Sequence, residues 1–269
     1  MHAQVDLTIP MPGGALPLRI YSPSDPGPLP VLVYFHGGGW VFGTLDQADH
    51  VCSAFAQRTP CVVVSVDYRL SPEHKYPAAV EDAYAAVEWV ERHIAAWGGD
   101  PQIIAVGGES AGANLAAVVC RLARDRNGPR IAYQLLLCPW TDLSATDTRS
   151  CEEFGDGPWL PRRNLAYYRA QYLDDVAVQV FDPNVSPQLA ADLGHLPPAH
   201  IVTAEFDVLR DDGEAYARRL REAGVPVTCQ RYDGMIHSFM LLNAVFACAD
   251  QCIHECVTML RAAVKGPGL

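Results

Sequence analysis

Lysine is nearly absent from this sequence: Lys75 and Lys265 are the only two. With 20 Lys+Arg against 31 Asp+Glu, the formal charge is −11, and no basic stripe offers phosphates a footprint, which excludes a nucleic-acid partner. No uncharged apolar stretch reaches the ~20 residues that a membrane-spanning helix needs. The opening residues Met1-His2-Ala3-Gln4-Val5-Asp6 have neither the basic start nor the apolar run of a secretory signal. The nine cysteines are odd in number and lack paired spacing, so a disulfide framework is not expected and a reducing, cytoplasmic setting is. Cys248, Cys252 and Cys256 do recur every fourth residue around His254, in the manner of a metal site. Small apolar side chains along one stripe of a C-terminal helix account for the same spacing, and no metal is expected.

Apolar residues are plentiful, 49% of 269, ample for a buried core in one α/β domain. Alternating runs at 5–9 and 16–21, separated by Pro12-Gly13-Gly14, predict an opening hairpin. A continuous apolar run at 31–35 and a short one at 103–106 read as buried strands, as do the mostly apolar stretches at 61–66, 133–137 and 199–204, with a last strand near 227–232. Helical periodicity covers 46–57, 79–93, 114–122 and 213–223, the last stopped by Gly224, while Gly98-Gly99-Asp100-Pro101 is expected to break the chain before the 103–106 strand. Eight strands, alternating with helices late in the chain, predict an α/β fold: a mostly parallel, doubly wound sheet with helices on both faces. Residues 140–187 lose that rhythm and concentrate aromatics, so an inserted helical cap is expected over the ligand-binding edge of the sheet.

Chemistry concentrates first at Gly108-Glu109-Ser110-Ala111-Gly112. An apolar strand run before it and a helix of small residues after it predict a strand, a tight turn and a helix. A serine at that apex projects above the sheet edge, and the helix directs its positive end and free N–H groups toward the place where an oxyanion would form. Earlier, His36-Gly37-Gly38-Gly39-Trp40 follows the 31–35 strand directly. Three glycines there expose backbone N–H groups with no side chains in the way, as an oxyanion hole requires.

Later, Asp207 stands just past the strand at 199–204, and His237 lies beyond the last strand behind Gly234-Met235-Ile236. A serine hydroxyl is a poor nucleophile until an imidazole takes its proton, and a carboxylate must fix the tautomer of that imidazole. Glu205, Asp211 and Asp212 compete for the acid role, but the first falls within a strand and the others suit a helix N-terminus. His195, His200 and His254 lack the post-strand position. Glu73, His74 and Asp82, in or after the stretch from Asp67, are read as structural braces.

Four motifs in this order, His36-Gly37-Gly38-Gly39-Trp40, Tyr68-Arg69-Leu70-Ser71-Pro72-Glu73, Gly108-Glu109-Ser110-Ala111-Gly112 and Asp207-Val208-Leu209-Arg210-Asp211, resemble the bacterial hormone-sensitive-lipase family (family IV) of carboxylesterases, within the α/β-hydrolases. The order Ser110, Asp207, His237 is that of an α/β-hydrolase triad. The resemblance implies an α/β-hydrolase fold with a small helical cap, and hydrolysis of short- to medium-chain acyl esters through an acyl-enzyme on Ser110, without a cofactor. It further implies an oxyanion hole made by the N–H groups of Gly38, Gly39 and Ala111, with Gly37 shaping it. It also suggests a homodimer through the edge of the last strand. Trp40, Phe42, Trp159 and Tyr168 are expected at the substrate pocket by placement and aromatic character, with Gly37 and Glu109 nearby. The family more often has Asp at position 109 and Pro at 208, and a longer N-terminal helical segment than the 35 residues before His36. A single domain over 1–269 is expected, its cap supplied mainly by 140–187 and its pocket more open for that reason. Amide, carbamate or lactone hydrolysis shares the first chemical step. A non-catalytic receptor on this fold is expected to lack the histidine that stands at 237.

Overall fold

A computed structural model describes residues 3–11, 14–157 and 159–264. Strands β1 (Ala3–Met11) and β2 (Gly14–Ser22) form the antiparallel hairpin expected, although Pro12 and Gly13 of its turn lie outside the described residues. After β3 (Leu29–Phe35) come helix α1 (Leu45–Arg58), β4 (Val62–Val66), α2 (Ala78–His93) and β5 (Gly99–Glu109). Helix α3 (Ala111–Asp125) and β6 (Ile131–Leu137) follow, then three short helices, α4 (Arg149–Phe154), α5 (Arg162–Tyr172) and α6 (Val176–Gln179). The chain closes with β7 (Ala199–Phe206), α7 (Arg210–Glu222), β8 (Val227–Ile236) and α8 (Ala247–Val264). The eight strands form one sheet in the order β1-β2-β4-β3-β5-β6-β7-β8. β2 joins β4 antiparallel, and every later pairing is parallel.

Strand geometry sends successive side chains to opposite faces, so a strand apolar throughout must be covered twice. In β3, Val31, Val33 and Phe35 enter one core while Leu32 and Tyr34 enter the other, and β4 divides in the same way at Val62, Val64 and Val66 against Val63. The first core is closed by α2, α3, α7 and the 140–187 segment, through residues such as Val87, Leu115, Leu220 and Trp140. The second is closed by α1 and α8, through Val51, Phe55, Cys252 and Ile253. Cys252 and Cys256 are buried there and His254 is exposed, as an apolar stripe on α8 requires. Among the described residues, no helix is long and apolar enough to cross a membrane.

Several boundaries differ from expectation, two of them for a visible reason. Gly98 alone, at φ 79°, makes the reversal, and its carbonyl accepts the Leu29 N–H at 2.9 Å. Gly99, Asp100 and Pro101 are therefore already strand, with Gly99 beside Leu29 and a register shift before Val31. Helix α7 begins at Arg210, one turn before the expected start, because the Arg210 N–H bonds the Asp207 carbonyl at 3.1 Å.

Asp82, buried in α2, accepts the Arg69 N–H at 2.9 Å and its guanidinium Nη2 at 2.8 Å, fixing the loop after β4. Glu73 and His74 of that loop are exposed.

Candidate active site

Ser110 occupies the single residue between β5 and α3. Its backbone, at φ 56° and ψ −118°, lies in a region that a non-glycine residue enters only under constraint. That constraint is visible: the Ser110 N–H bonds the Leu137 carbonyl at 2.8 Å, and its own carbonyl accepts the first helical bond from Asn114 at 3.1 Å. Gly112 must be glycine, since a β-carbon there would run into the Phe35 and His36 carbonyls. Strand β3 and helix α3 can cross that closely only without a side chain.

Asp207 follows β7 directly and His237 follows β8 directly. His237 Nε2 lies 3.0 Å from Ser110 Oγ, and Nδ1 lies 2.7 Å from Asp207 Oδ2. An ionised carboxylate only accepts, so the proton resides on Nδ1 and the Nε2 lone pair faces the serine hydroxyl. The other Asp207 oxygen accepts the Leu209 N–H at 2.9 Å, which holds the carboxylate in place. All three side chains are buried, and Ser110 keeps 7% exposure toward a cavity. Burial disfavours the imidazolium, but the Asp207 charge and hydrogen bond outweigh it with help from Glu109. The His237 pKa therefore stands above the ordinary histidine value.

The glycine loop after β3 lies across from this serine. Gly38 and Gly39, at φ 114° and 63°, line the same cavity as Ser110. The Gly38 carbonyl accepts N–H groups from both Val41 and Phe42 at 3.1 Å, which pins the loop. Beneath it, His36 donates from Nδ1 to the Gly37 carbonyl at 2.7 Å, and burial pushes its pKa down to about 4, keeping it neutral. Tyr68 stacks on the His36 ring at 4.4 Å and bonds the His36 carbonyl at 2.8 Å, so the Tyr68-Arg69 stretch acts as a strut for the loop. Ala111 is buried as the first residue of α3, where an N–H has no partner within the helix.

The cavity measures about 510 Å³, and Phe42, Glu109, Trp159 and Tyr168 line it, as expected. Trp40 does not, which corrects the reading of it as a pocket residue. At φ 60° its side chain turns away from the cavity and is 0% exposed, stacked on Tyr172 of α5 at 4.3 Å. Gly37 is likewise absent from the lining, because its α-carbon is pressed against the Glu109 carboxylate. Sequence reasoning missed Ser238, Leu241 and Leu242, which also line the cavity. Ser238 is left-handed at φ 58° and its hydroxyl donates to Glu109. Its position after His237 was the one available signal.

The rival acids are engaged in bracing. Glu205 accepts the Gly234 N–H at 2.7 Å and Asp211 the Ser150 N–H at 2.8 Å, while Asp212 accepts from Thr141. Among the rival histidines, His195 and His254 are exposed, and His200 pairs with Thr228 at 2.7 Å. Among the described residues, the one cluster with metal-ligand spacing is Cys138, Asp207 and His237, which is the serine's own hydrogen-bonded partner set plus a buried thiol.

The α/β-hydrolase fold family matches this chain over residues 32–241. The chain belongs to the α/β-hydrolase family. A carboxylic ester hydrolase of Mycobacterium tuberculosis, LipN, is 46% identical over 97% of this chain and 71% of its own length. A carboxylesterase from the same organism, NlhH, is 42% identical over 93% of this chain and 79% of its own length. Among solved structures, an esterase of Pyrobaculum calidifontis superposes with a TM-score of 0.94 at 42% identity, covering 98% of this chain and 87% of that one. A thermostable carboxylesterase cloned from a metagenomic library does so with a TM-score of 0.94 at 40% identity, covering 97% and 89%. Within the α/β-hydrolases these relatives and the four ordered motifs place the chain in the hormone-sensitive-lipase group of carboxylesterases.

Proposed function

We propose that this α/β-hydrolase is a serine carboxylesterase that cleaves short- to medium-chain acyl esters through an acyl-enzyme on Ser110. The observation that carries the reading is the line from Ser110 Oγ to His237 Nε2, 3.0 Å, and from Nδ1 to Asp207, 2.7 Å. Ser110 Oγ forms a bond to the ester carbonyl carbon while its proton passes to Nε2. N–H groups of Gly38, Gly39 and Ala111 receive the developing oxyanion, a contribution of about 3 kcal/mol per donor. The carbon–oxygen bond to the alcohol then breaks, and Nε2–H supplies the alcohol's proton. Water repeats the sequence on the acyl-enzyme, releasing the acid and restoring Ser110.

A cavity of about 510 Å³ falls in the range of small-molecule sites. Its mouth is apolar: Phe42 and Trp159 are 50% and 55% exposed there, and Tyr168 sits edge-on to Phe42 at 5.5 Å. Those rings suit acyl chains and alcohols of modest size, with loose selectivity for chain length. Residues 140–187 serve as the cap within one domain, since α5 packs on the glycine loop through Tyr172 and Trp40. Free cysteines throughout suit a cytoplasmic setting, and β8, at the end of the sheet, leaves an edge against which a second copy can pair.

Hydrolysis of p-nitrophenyl esters from acetate to laurate, by the intact protein and by Ser110→Ala, tests the reading. Turnover across the shorter chains that vanishes in the variant supports it. Turnover that survives in Ser110→Ala, or none by the intact protein, overturns it.

A further inference from the structure

One ionisable side chain at the site has no part in the mechanism above. Glu109 ends β5, is 2% exposed, and faces the cavity. Among the described residues that line the cavity, none is lysine or arginine. Its carboxylate instead joins three structures that must keep their relative positions. One oxygen accepts the Ser238 hydroxyl and lies 3.6 Å from His237 Nε2, while the other rests against the α-carbon of Gly37 in the glycine loop. Burial in such a place, without a cationic partner, is costly, and it raises the Glu109 pKa despite the opposing pulls of His237 and Ser238. A carboxylate placed there at a cost, against the nitrogen that accepts the serine proton, calls for an account.

We propose that Glu109 is a positioning residue for His237. It sets a second negative charge at the Nε2 edge of the imidazole and, through Ser238 and Gly37, locks the base loop to the glycine loop. This rests on the esterase reading above. Asp207 steadies the imidazole from Nδ1, and Glu109 steadies it from the opposite edge. When Ser110 attacks, Nε2–H lies between Oγ and the Glu109 carboxylate, so the imidazolium is favoured and its N–H stays within reach of the departing alcohol. Other groups surround the pair. Cys138 approaches His237 and Asp207 from the end of β6. Tyr34 of β3, Tyr68 of the strut loop and Tyr168 of α5 lie around Glu109. Burial pushes all four of these groups up, so they stay neutral near pH 7, and the carboxyl groups that face the imidazole are those of Asp207 and Glu109.

The experiment is the pH profile of kcat/KM on p-nitrophenyl butyrate for the intact protein, Glu109→Gln and Glu109→Asp. Removing a negative charge beside an imidazole lowers its pKa. The acid limb in Glu109→Gln is therefore expected about one unit lower. Its plateau kcat should fall about tenfold, with KM within about threefold, the signature of an interaction made in the transition state. Glu109→Asp keeps the charge farther away and should move the limb part of the way. A residue that merely filled space would change stability and leave the limb where it is. An acid limb that coincides in all three proteins overturns the inference while leaving the esterase reading intact. If Glu109→Gln does not fold, the Glu109→Asp limb decides alone, and coincidence with the intact protein again overturns it. An intact protein with no acid limb near the imidazole range overturns both.

Discussion

Trp40 and Tyr172 stack face to face, ring centroids 4.3 Å apart and planes 5° from parallel, and Trp140 leans on the first ring at 5.6 Å. This cluster fastens helix α5 to the glycine loop. Trp40→Ala is expected to cost about 3–5 kcal/mol, as for other buried aromatics, and to lower activity by releasing the loop. Tyr172→Phe should be nearly neutral, because the Tyr172 hydroxyl has no hydrogen-bond partner among the described residues. Urea denaturation of the two variants beside the intact protein checks the contrast.

The misreading of Trp40 shows where the sequence stops being informative. A tryptophan directly after three glycines and ahead of a Gly-x-Ser-x-Gly turn reads as a substrate contact, and nothing in its neighbours announces a φ of 60° that turns it away from the cavity into the core. Ser238 was hidden for the same reason, since its reach to Glu109 depends on a left-handed backbone. The strands of the sheet, by contrast, were legible, apart from the start of β5 at Gly99. The unbroken apolar runs at 31–35 and 62–64 require cover on both faces, and that requirement alone implies helices on either side. Chain order carried the placement of Ser110, Asp207 and His237, because each follows a strand whose end can be seen in the residues.

Asp82 and Arg69 give a second prediction. The Asp82 side chain is 2% exposed, whereas the guanidinium it holds keeps 24% exposure. Arg69→Met strands a buried carboxylate and should destabilise the fold by about 3 kcal/mol. Asp82→Asn should cost less, since the amide oxygen still accepts while the exposed edge of Arg69 turns to water. Denaturation midpoints at pH 7 order the two.

A third concerns acid. His36 and His200 are each pushed down to about 4 by burial, against an ordinary 6.5. Between those values the unfolded chain binds protons that the folded one refuses, so stability falls as pH drops from about 6.5 to about 4, by roughly 3 kcal/mol for each group. His237 has the opposite sign. Its raised pKa adds stability that is full below 6.5 and lost as pH rises through the folded value, so it acts above the window of the decline and leaves the acid slope unchanged. His200 pairs with Thr228, away from the serine, so His200→Gln should flatten the acid slope without altering turnover at pH 8. A slope unchanged by that substitution would contradict the assignment.

A fourth tests the glycine loop against helix α5. A β-carbon at Gly39 would strike the Tyr168 ring, and φ there is 63°. Gly39→Ala should lower kcat at least about a hundredfold by displacing an N–H proposed to receive the oxyanion. Adding Tyr168→Ala removes the clash but not the left-handed backbone, which costs roughly 1 kcal/mol in alanine, so the double variant should recover only part of the loss. Steady-state kinetics on one short ester suffice.

A last prediction follows from the charge of the cavity. With Glu109 inside and no lysine or arginine among its described lining residues, an ester whose acyl chain ends in a carboxylate should react about tenfold more slowly than a neutral ester of equal length. Competition between the two substrates at pH 8 gives the ratio directly, and Glu109→Gln should narrow it.

The parts proposed to carry the chemistry leave the sheet from four strands, β3, β5, β7 and β8, with only β6 standing among them. Each part is held by backbone at the end of its own ribbon, whereas the pocket rim comes from separate excursions: Phe42 beyond the glycine loop, Trp159 and Tyr168 in the long β6–β7 connection, and Leu241 and Leu242 after the base. An engineer could therefore exchange the rim to retune substrate range while the frame that carries the reaction stays put, much as jaws are changed on a vice without recasting its bed.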